Sequence, residues 1–319
     1  MCDISRAMSR SSYLLIVTGA SRGFGRALCV QFAKSILGPL NCVLVGRSLV
    51  DMEATVSEMQ SVRTECSELT YEIIVGDLED SGSVEGLARQ LFQRSYDYTK
   101  IVYVNNAGSL GPLGRIDTGL DMDQFSRTIQ LNVTTPCLLL STLLKALRDC
   151  STPARSIVIV NVTSLWAIEA TSTFGAYCSS KAAMEMFFEV AAAEYSQDTR
   201  VKFLNYAPGP LDTVMQGRIR DDPGVLKAVK DSCVSLLHTG NLVAPEVSAH
   251  KCVRLAIEEL FRSGDHVDYY DQVEGIEYSR KSPTTCCQNP NCQCGPACSC
   301  SPDIGAQCGA CRSFLLENR

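Results

Sequence analysis

The sequence predicts an α/β fold, namely a Rossmann-type, doubly wound parallel sheet of about seven strands with helices on both faces. Short apolar runs alternate with longer helical patterns from residue 13 to residue 271. The runs are continuously apolar, which is typical of strands buried on both faces. A glycine-rich turn over 18–25 joins the first run to the first helical pattern. Together these features indicate a sheet that binds a ligand at its carboxyl edge.

The individual elements follow from the same patterns. Runs rich in Val, Ile, Leu or Tyr predict strands over 13–18, 41–46, 70–76, 101–105, 156–163, 200–206 and 265–269. The segments between them predict helices over 23–37, 51–66, 81–94, 122–149, 177–197, 222–237 and 245–262. The domain organisation is then an N-terminal arm over 1–12, a main domain over 13–271 and a cysteine-rich extension over 272–319.

Composition excludes several classes of protein. The chain has 319 residues, is 45% hydrophobic and carries a net charge of −6 without a basic stripe, which argues against a nucleic-acid surface. No apolar stretch approaches the length of a membrane span, and the run at 14–17 stops at Thr18-Gly19 as a buried strand does. The cysteines before the extension lie mostly in apolar stretches, which suits a reducing compartment. We expect a soluble, cytoplasmic protein that binds neither nucleic acid nor membrane.

The glycine-rich turn predicts a phosphate-binding site. Gly19 permits a tight turn, Gly23 lets the backbone approach a pyrophosphate, and Gly25 allows close packing of helix on strand. The helix N-terminus offers free N–H groups and a partial positive charge to phosphate oxygens. The residues expected to line this turn are Gly19, Ser21, Arg22, Gly23, Phe24 and Gly25.

The end of the second strand predicts the cofactor. Sites that prefer NAD usually place an acidic residue there for the ribose 2′-hydroxyl, whereas this chain has Arg47-Ser48. Arg47, together with Arg22, offers planar cations suited to a 2′-phosphate. The alternative is two ordinary solvated arginines. We expect NADP(H).

A tyrosine and a lysine predict the chemistry. Tyr177 and Lys181 are spaced i and i+4, so they share one helical face. A fixed ammonium beside a phenol favours the phenolate and would pull the tyrosine pKa down towards working pH. Such a phenol can protonate a carbonyl oxygen while hydride reaches the carbon. A surface tyrosine and lysine on an amphipathic helix is the alternative.

These motifs together resemble the short-chain dehydrogenase/reductase family over residues 13–271. The segments that carry the resemblance are 18–25, Asn105-Asn106-Ala107-Gly108, Leu131-Asn132-Val133-Thr134, Asn161-Val162-Thr163-Ser164 and Tyr177-Cys178-Ser179-Ser180-Lys181. The resemblance implies the catalytic set Ser164, Tyr177, Lys181 and Asn132, with Lys181 also binding the nicotinamide ribose. It implies that Asp77-Leu78 holds the adenine edge and that Asn105 begins a segment close to the nicotinamide ribose. A nucleotide-binding sensor without catalysis is the alternative.

Three further segments resemble the sepiapterin reductase branch of this family. They are 106–111, 203–213 and 263–271. This resemblance implies a pterin ketone as substrate, reduced in tetrahydrobiopterin synthesis, with Asp268 anchoring the pterin through a carboxylate that accepts two N–H bonds. Ser164, Tyr177 and Gly209 would also line the substrate site. Leu211, Thr213, Met215 and Gln216 would cover the cofactor and lead into a lid.

Other predictions accompany this resemblance. A general carbonyl reductase acting on other ketones is the alternative activity. Trp166 fits either a wall of the pterin pocket or the core, and His266 is interpreted as structural. Family members pair through the helices equivalent to 122–149 and 177–197, which implies a homodimer.

The extension predicts a separate property. Its composition resembles metallothionein, where close thiolates hold soft ions such as zinc or copper in clusters. The ligands would be Cys286, Cys287, Cys292, Cys294, Cys298, Cys300, Cys308 and Cys311. A disulfide-bonded tail, a lipidated tail and a functionless extension remain alternatives. Without metal the extension is expected to be irregular or disordered, because it has little apolar content to form a core.

Overall fold

A computed structural model describes residues 12–64, 67–94, 96–150 and 154–273. Within them, seven parallel strands form one sheet in the order β3-β2-β1-β4-β5-β6-β7. Their bounds are β1 Tyr13–Thr18, β2 Leu40–Gly46, β3 Leu69–Val75, β4 Lys100–Asn105, β5 Ser156–Val162, β6 Val201–Ala207 and β7 His266–Asp268. The predicted fold class is confirmed, and each predicted strand end lies within one residue of the observed one.

Helices cover both faces of this sheet. The helices are α1 Gly23–Ser35, α2 Leu49–Ser61, α3 Ser81–Phe92, α4 Met122–Ile129, α5 Thr135–Arg148, α6 Gly175–Glu194, α7 Val214–Asp221, α8 Lys227–His238 and α9 Pro245–Glu258. Helix α1 packs between α2 and α9, whereas α3 packs against α5. A large apolar core lies between the sheet and α3, α5 and α6. The central strands are buried on both faces, which explains their continuously apolar sequences.

Two predicted helices differ from the structure. The segment predicted as one helix over 122–149 contains a π-helical turn at Gln130–Thr134 between α4 and α5. Pro136 lies in the first turn of α5, where it lacks an N–H and crowds the preceding carbonyls, so the regular α pattern is interrupted. The helix predicted over 222–237 is α8, and the structure adds α7 before it. Asp222 is extended because it precedes Pro223, which separates α7 from α8.

The strand order places the functional segments together. Strands β2 and β3 lie on one side of β1, and strands β4 to β7 lie on the other, so the order of winding changes between β1 and β4. The carboxyl ends of all these parallel strands lie at the same edge of the sheet. The glycine-rich turn after β1 and the segments after β4, β5, β6 and β7 therefore surround one crevice. From residue 274 onwards, the predicted extension lies outside the described residues. Among the helices that the structure describes, none is long and apolar enough to cross a membrane.

Candidate active site

The glycine-rich turn has the geometry that a phosphate group requires. Gly19 has a φ of +68°, and a Cβ on Gly25 would lie 2.1 Å from the Gly19 carbonyl oxygen, so neither position accepts a larger residue without movement. Gly23 has a φ of +54°, and the atom nearest to a Cβ built on it is the Thr213 methyl carbon at 3.7 Å. No side chain caps the first turn of α1. Its N–H groups are thus available to a phosphate, and the residues present fit a dinucleotide.

Side chains from β1, from the segment after β4 and from α1 hold this turn. The Thr18 hydroxyl oxygen accepts the backbone N–H groups of Asn106 at 3.0 Å and Ala107 at 3.1 Å. The Asn106 amide nitrogen donates to the carbonyl oxygens of Thr18 at 2.9 Å and Gly19 at 3.1 Å. Arg26 donates to the Ser21 carbonyl at 2.7 Å. Sequence patterns did not single out Asn106 or Arg26 for this bracing role, because it depends on contacts between separate elements.

The two arginines predicted to bind a 2′-phosphate are both exposed. The Arg47 side chain is 61% exposed, and its ion pair with Glu79 has an N–O distance of 3.8 Å. Such a long, solvated pair restrains a side chain weakly. The Ser48 hydroxyl accepts the Asp51 N–H at 3.3 Å and so caps α2. A phosphate beside Ser48 would therefore meet Arg47 without a strong competing bond.

Other predicted cofactor residues have mainly buried side chains. Phe24 is 7% exposed and stacks on Tyr206, and Leu78 is 6% exposed. The Asn105 amide donates to the Asn161 side-chain oxygen at 3.0 Å. Any contact of these residues with a nucleotide must therefore involve mostly their backbone. Asp77 accepts the Glu79 N–H at 3.0 Å and lies at the same edge, after β3.

Ser164, Tyr177 and Lys181 converge at the carboxyl end of β5. Tyr177 and Lys181 lie one turn apart on α6, each is 8% exposed, and the Lys181 Nζ is 5.8 Å from the Tyr177 ring centroid. The Lys181 Nζ donates to the Val162 carbonyl at 2.7 Å, which fixes the ammonium against β5. Ser164 hydrogen-bonds the Tyr177 side chain. A buried phenol, a hydroxyl and an ammonium thus share one small volume.

The expected lowering of the Tyr177 pKa is wrong for this structure. Burial raises the pKa of Tyr177 to about 12, and the hydrogen bond from Ser164 only partly opposes this. Burial also lowers the pKa of Lys181 to about 8, against the charge of Glu185. The reason is geometric: the ammonium donates to a backbone carbonyl, while the phenol lies in a dry environment that disfavours its anion. Tyr177 is consequently protonated at neutral pH and able to donate.

Asn132 lies in the π-helical turn and is 3% exposed. Its side-chain oxygen accepts the Ser109 N–H at 2.9 Å, and its amide donates to the Ser109 carbonyl at 2.8 Å and the Ser180 hydroxyl at 2.9 Å. A Cβ on Gly108 would lie 3.2 Å from the Asn132 oxygen and 3.6 Å from the Lys181 Nζ. The π-turn therefore brings Asn132 close to Lys181, as π-turns often do at functional sites.

Asp268 is the last residue of β7. One of its carboxylate oxygens accepts the Tyr270 N–H at 2.8 Å. Burial raises the pKa of Asp268, and nearby Asp271 adds to this. The buried Lys251 Nζ donates to the carbonyls of Asp268 at 2.6 Å, Tyr269 at 3.0 Å and Asp271 at 2.7 Å. Lys251 thus fixes the backbone around the predicted substrate anchor, a role that the sequence alone did not indicate.

The chain after β6 crosses above the glycine-rich turn. Gly209 has a φ of +77° and packs against the Tyr269 ring. Thr213 begins α7 and approaches Gly23, while Leu211 forms a β-bridge with Val243. Met215 is 37% exposed and Gln216 is 5% exposed. The structure therefore brings all four predicted covering residues, Leu211, Thr213, Met215 and Gln216, to the segment that borders the crevice.

An apolar cluster surrounds Tyr177. Its buried members include Leu110, Phe174, Tyr177 and Ile219, and Trp166 packs against them. The Trp166 ring centroid is 4.5 Å from that of Phe174 and 6.2 Å from that of Tyr177, where the two rings meet edge to face. Trp166 is therefore partly buried beside the phenol. Its environment combines the two alternatives that the sequence left open, a pocket wall and a core position.

The predicted thiolate ligands of the extension, from Cys286 to Cys311, lie outside the described residues. Among the residues that are described, there is no group of three or more His, Cys, Asp or Glu side chains that could hold a metal ion. The seven free cysteines of that part are buried or half-buried. This agrees with their prediction as small apolar residues.

The fold and this crevice define a class of protein. A family model described as short chain dehydrogenase matches residues 14–224, and the chain belongs to this family. It is an oxidoreductase. The reductase of Brucella melitensis that acts on 3-oxoacyl-[acyl-carrier protein], solved in complex with NAD, shares the fold with a TM-score of 0.66. The two sequences are 19% identical, and the match covers 82% of this chain and 96% of the Brucella chain.

Within the family, the chain is similar to sepiapterin reductases. It is 34% identical to the sepiapterin reductase of Bos taurus over 270 residues, which are 81% of this chain and 95% of the relative. It is also 26% identical to the benzil reductase of Bacillus cereus, an (S)-benzoin-forming enzyme, over 254 residues. That match covers 79% of this chain and 96% of the relative.

Proposed function

We propose that the protein reduces a side-chain ketone of a pterin with NADPH, as a sepiapterin reductase does. The observation that carries the proposal is the convergence of a buried phenol, a hydroxyl and an ammonium at the edge of a dinucleotide-binding sheet. The similarity to sepiapterin reductases over most of both chains supports the choice of a pterin. The proposed substrates are sepiapterin and 6-pyruvoyl-tetrahydropterin, and the proposed pathway is tetrahydrobiopterin synthesis.

Tyr177 is proposed as the proton donor. Its raised pKa keeps the phenol protonated at neutral pH, so it can donate to the ketone oxygen as negative charge develops there. The Ser164 hydroxyl would hydrogen-bond the same oxygen and orient it. Lys181, fixed by the Val162 carbonyl, supplies positive charge beside the phenol. A bound NADPH would supply the hydride.

Asn132 is proposed to position the groups around Lys181. Its amide oxygen and nitrogen are both engaged by Ser109, which fixes the side chain near the ammonium. The proposed role is to seat a water through which Tyr177 regains its proton from Lys181. That route is short, because Asn132 and Lys181 both approach Gly108. The proton donor is thereby restored after each turnover.

NADPH is proposed over NADH because of the exposed arginines. Arg47 immediately follows β2, where the ribose of a dinucleotide lies in this fold, and its long contact to Glu79 leaves the guanidinium able to reorient. A guanidinium binds a phosphate with two parallel hydrogen bonds. Arg22 lies in the turn next to Gly23 and offers a second cation. The proposed nucleotide contacts also include Asp77 and the backbone at Asn105.

Asp268 is proposed as the pterin anchor. Its backbone is fixed by Lys251, and it lies at the carboxyl edge with Gly209 and Tyr269 close by. A carboxylate can accept the 2-amino and ring N–H groups of a pterin as a bidentate pair. The apolar cluster around Trp166 would face the flat ring.

The pterin assignment is tested with Asp268→Asn. The asparagine can still accept the Tyr270 N–H, but it presents an NH₂ group to one pterin donor. We expect kcat/KM for sepiapterin to fall by about 10- to 100-fold, the effect of losing one hydrogen bond to a charged group. The kcat/KM for benzil should change less than about threefold, because benzil has no N–H groups to anchor. Asp265→Asn is the matched control, since the Asp265 carboxylate is bonded to Arg262. An equal loss on both substrates would contradict the assignment.

A broader carbonyl reductase is the second candidate. The similarity to a benzil reductase favours it, because benzil is a diketone without a pterin ring. In that case the apolar cluster around Trp166 would bind the aromatic ketone, and Asp268 would be only structural. The two candidates make opposite predictions for the Asp268→Asn experiment.

A homodimer is proposed through α6 and its neighbours. Met186 is 58% exposed, Phe187 37% and Val190 48%, although all three are apolar residues of a long helix. Contiguous exposed apolar side chains favour association. A two-fold pairing of α6 with its copy would cover them. Sedimentation of the full chain should give the mass of two subunits, and Phe187→Glu should shift it towards one.

A further inference from the structure

A buried carboxylate connects three segments of the site. Glu185 lies on α6, one turn after Lys181 and two turns after Tyr177, and is 4% exposed. One of its oxygens accepts the Thr163 hydroxyl at 2.5 Å, and the other is 2.7 Å from the His266 Nδ1. A single side chain thus joins α6 to the end of β5 and to the start of β7.

Each partner of Glu185 adjoins a residue with a proposed role. Thr163 immediately precedes Ser164, and His266 precedes Asp268 by two residues on β7. The backbone carbonyl of Glu185 accepts the Asn205 amide at 3.5 Å. Displacement of this carboxylate would therefore move the residues on either side of the substrate together. Its position is central to the geometry of the site.

Stability alone does not explain a carboxylate at this position. Burying an ion removes its hydration, and replacing a buried ion pair by apolar residues is often neutral or stabilising. Most of the surrounding core is apolar, and Phe188, three residues further along α6, is fully buried. Apolar side chains at 185 and at its partners Thr163 and His266 together would be compatible with that core. The charge and the two directed hydrogen bonds of Glu185 are then the properties that need an explanation.

We propose that Glu185 is a positioning residue, which ties α6, the helix that carries Tyr177 and Lys181, to the end of β5 and to the His266 end of β7 in one rigid frame. The frame keeps the proton donor and the substrate anchor at a fixed separation. The inference rests on the proposed function only for the roles of Lys181 and Asp268. The bonds of Glu185 are independent of the substrate.

Charges around Glu185 agree with this role. Lys181 lies one turn before it on α6, and His266 contacts it from β7. Burial lowers the pKa of His266, but the Glu185 hydrogen bond and charge outweigh burial and raise that pKa overall. Asp268 and Asp271 add to the same effect, and Lys251 of α9 lies beyond them. For Lys181, burial lowers the pKa to about 8, and Glu185 opposes a further fall.

The test uses Glu185→Gln, which keeps the size and removes the charge. Without this charge the Lys181 ammonium should lose its proton more readily, so the alkaline limb of kcat/KM should move to lower pH by about one unit. Glu189→Gln is the matched control, because Glu189 is an exposed glutamate one turn further along α6. An alkaline limb that does not move in Glu185→Gln would overturn the proposal.

A second variant separates positioning from general packing. His266→Gln keeps an amide that can donate a hydrogen bond to Glu185, but it removes the charge-assisted bond between the Glu185 carboxylate and the imidazole ring. We expect KM for the ketone to rise by about threefold or more, with the alkaline limb unmoved, because Glu185 still lies one turn from Lys181. A shifted limb in this variant would contradict the assignment of the limb to the Glu185–Lys181 pair.

A third measurement needs no substrate and is therefore independent of the proposed function. The chain has three histidines, and His266→Gln assigns the His266 signal in a proton NMR titration. The pKa of His266 should be above its usual range in the wild type and should fall in Glu185→Gln. If Glu185→Gln does not fold, Glu185→Asp replaces it. That variant keeps the charge, so its alkaline limb should stay while KM rises, and a shifted limb would overturn the proposal.

Discussion

Tyr177→Phe is the most informative single change at the site. The substitution removes one oxygen, and the ring keeps its contacts with Trp166 and Lys181. Burial keeps the phenol protonated at pH 7, because its pKa is raised to about 12. Loss of a positioned general acid lowers rates by about 10²–10⁴-fold. Since Tyr177 is only 8% exposed, bulk water substitutes poorly for it, and we expect a loss of about 10³-fold.

The free-energy scale of this change can be compared with its effect on stability. A loss of about 10³-fold in kcat corresponds to about 4 kcal/mol of transition-state stabilisation. The hydrogen bond between Tyr177 and Ser164 contributes about 0.5–1.5 kcal/mol to folding, so the variant should still fold. The assay is single-turnover ketone reduction at saturating NADPH, with NADPH affinity measured separately by fluorescence.

Tyr103→Phe is the matched control. Tyr103 is fully buried in β4, and among the described residues its hydroxyl has no hydrogen-bond partner. Its removal should leave kcat within about twofold and should not lower stability. If Tyr177→Phe retained more than about one tenth of the wild-type rate, Tyr177 would not be the acid.

Three further predictions concern the cofactor, pH and the extension. Arg47→Asp should weaken NADPH binding by about 1.5–3 kcal/mol and improve NADH relative to NADPH, and an unchanged ratio of the two affinities would refute the 2′-phosphate role. Because the pKa of Lys181 is lowered to about 8, its charge is present below that pH and lost above it, so kcat/KM should fall above about pH 8. Truncation after Asp271 should leave kcat within about twofold. The reduced full chain should carry more than about one equivalent of zinc or copper by mass spectrometry, and the truncated chain almost none. Equal metal content in the two forms would exclude the metallothionein-like interpretation.

The sequence predicted the central strands well because each is buried on both faces. Strand β5, for example, is apolar from Ile157 to Val160, so its pattern is unambiguous. The glycine-rich turn was equally clear, since the backbone at Gly19 and the close approach at Gly25 exclude most side chains. These features depend on local rules, which one sequence can express.

Other features depend on distant partners and were not predictable. Asn105, Asn161 and Asn205 form a buried chain of hydrogen bonds across three strands, yet each alone looks like a strand-end asparagine. The same holds for Glu185, whose partners are 22 and 81 residues away in the chain. Burial also reversed the expected pKa of Tyr177, because the i to i+4 spacing carries no information about desolvation.

The most direct test of the proposed activity is NADPH oxidation by the wild-type protein with sepiapterin and with benzil under identical conditions. The account predicts that kcat/KM for sepiapterin exceeds that for benzil by at least about tenfold, because only the pterin can use Asp268 as an anchor. Product analysis should show reduction of the side-chain ketone with the pterin ring unchanged. A kcat/KM for sepiapterin no greater than that for benzil would contradict the account.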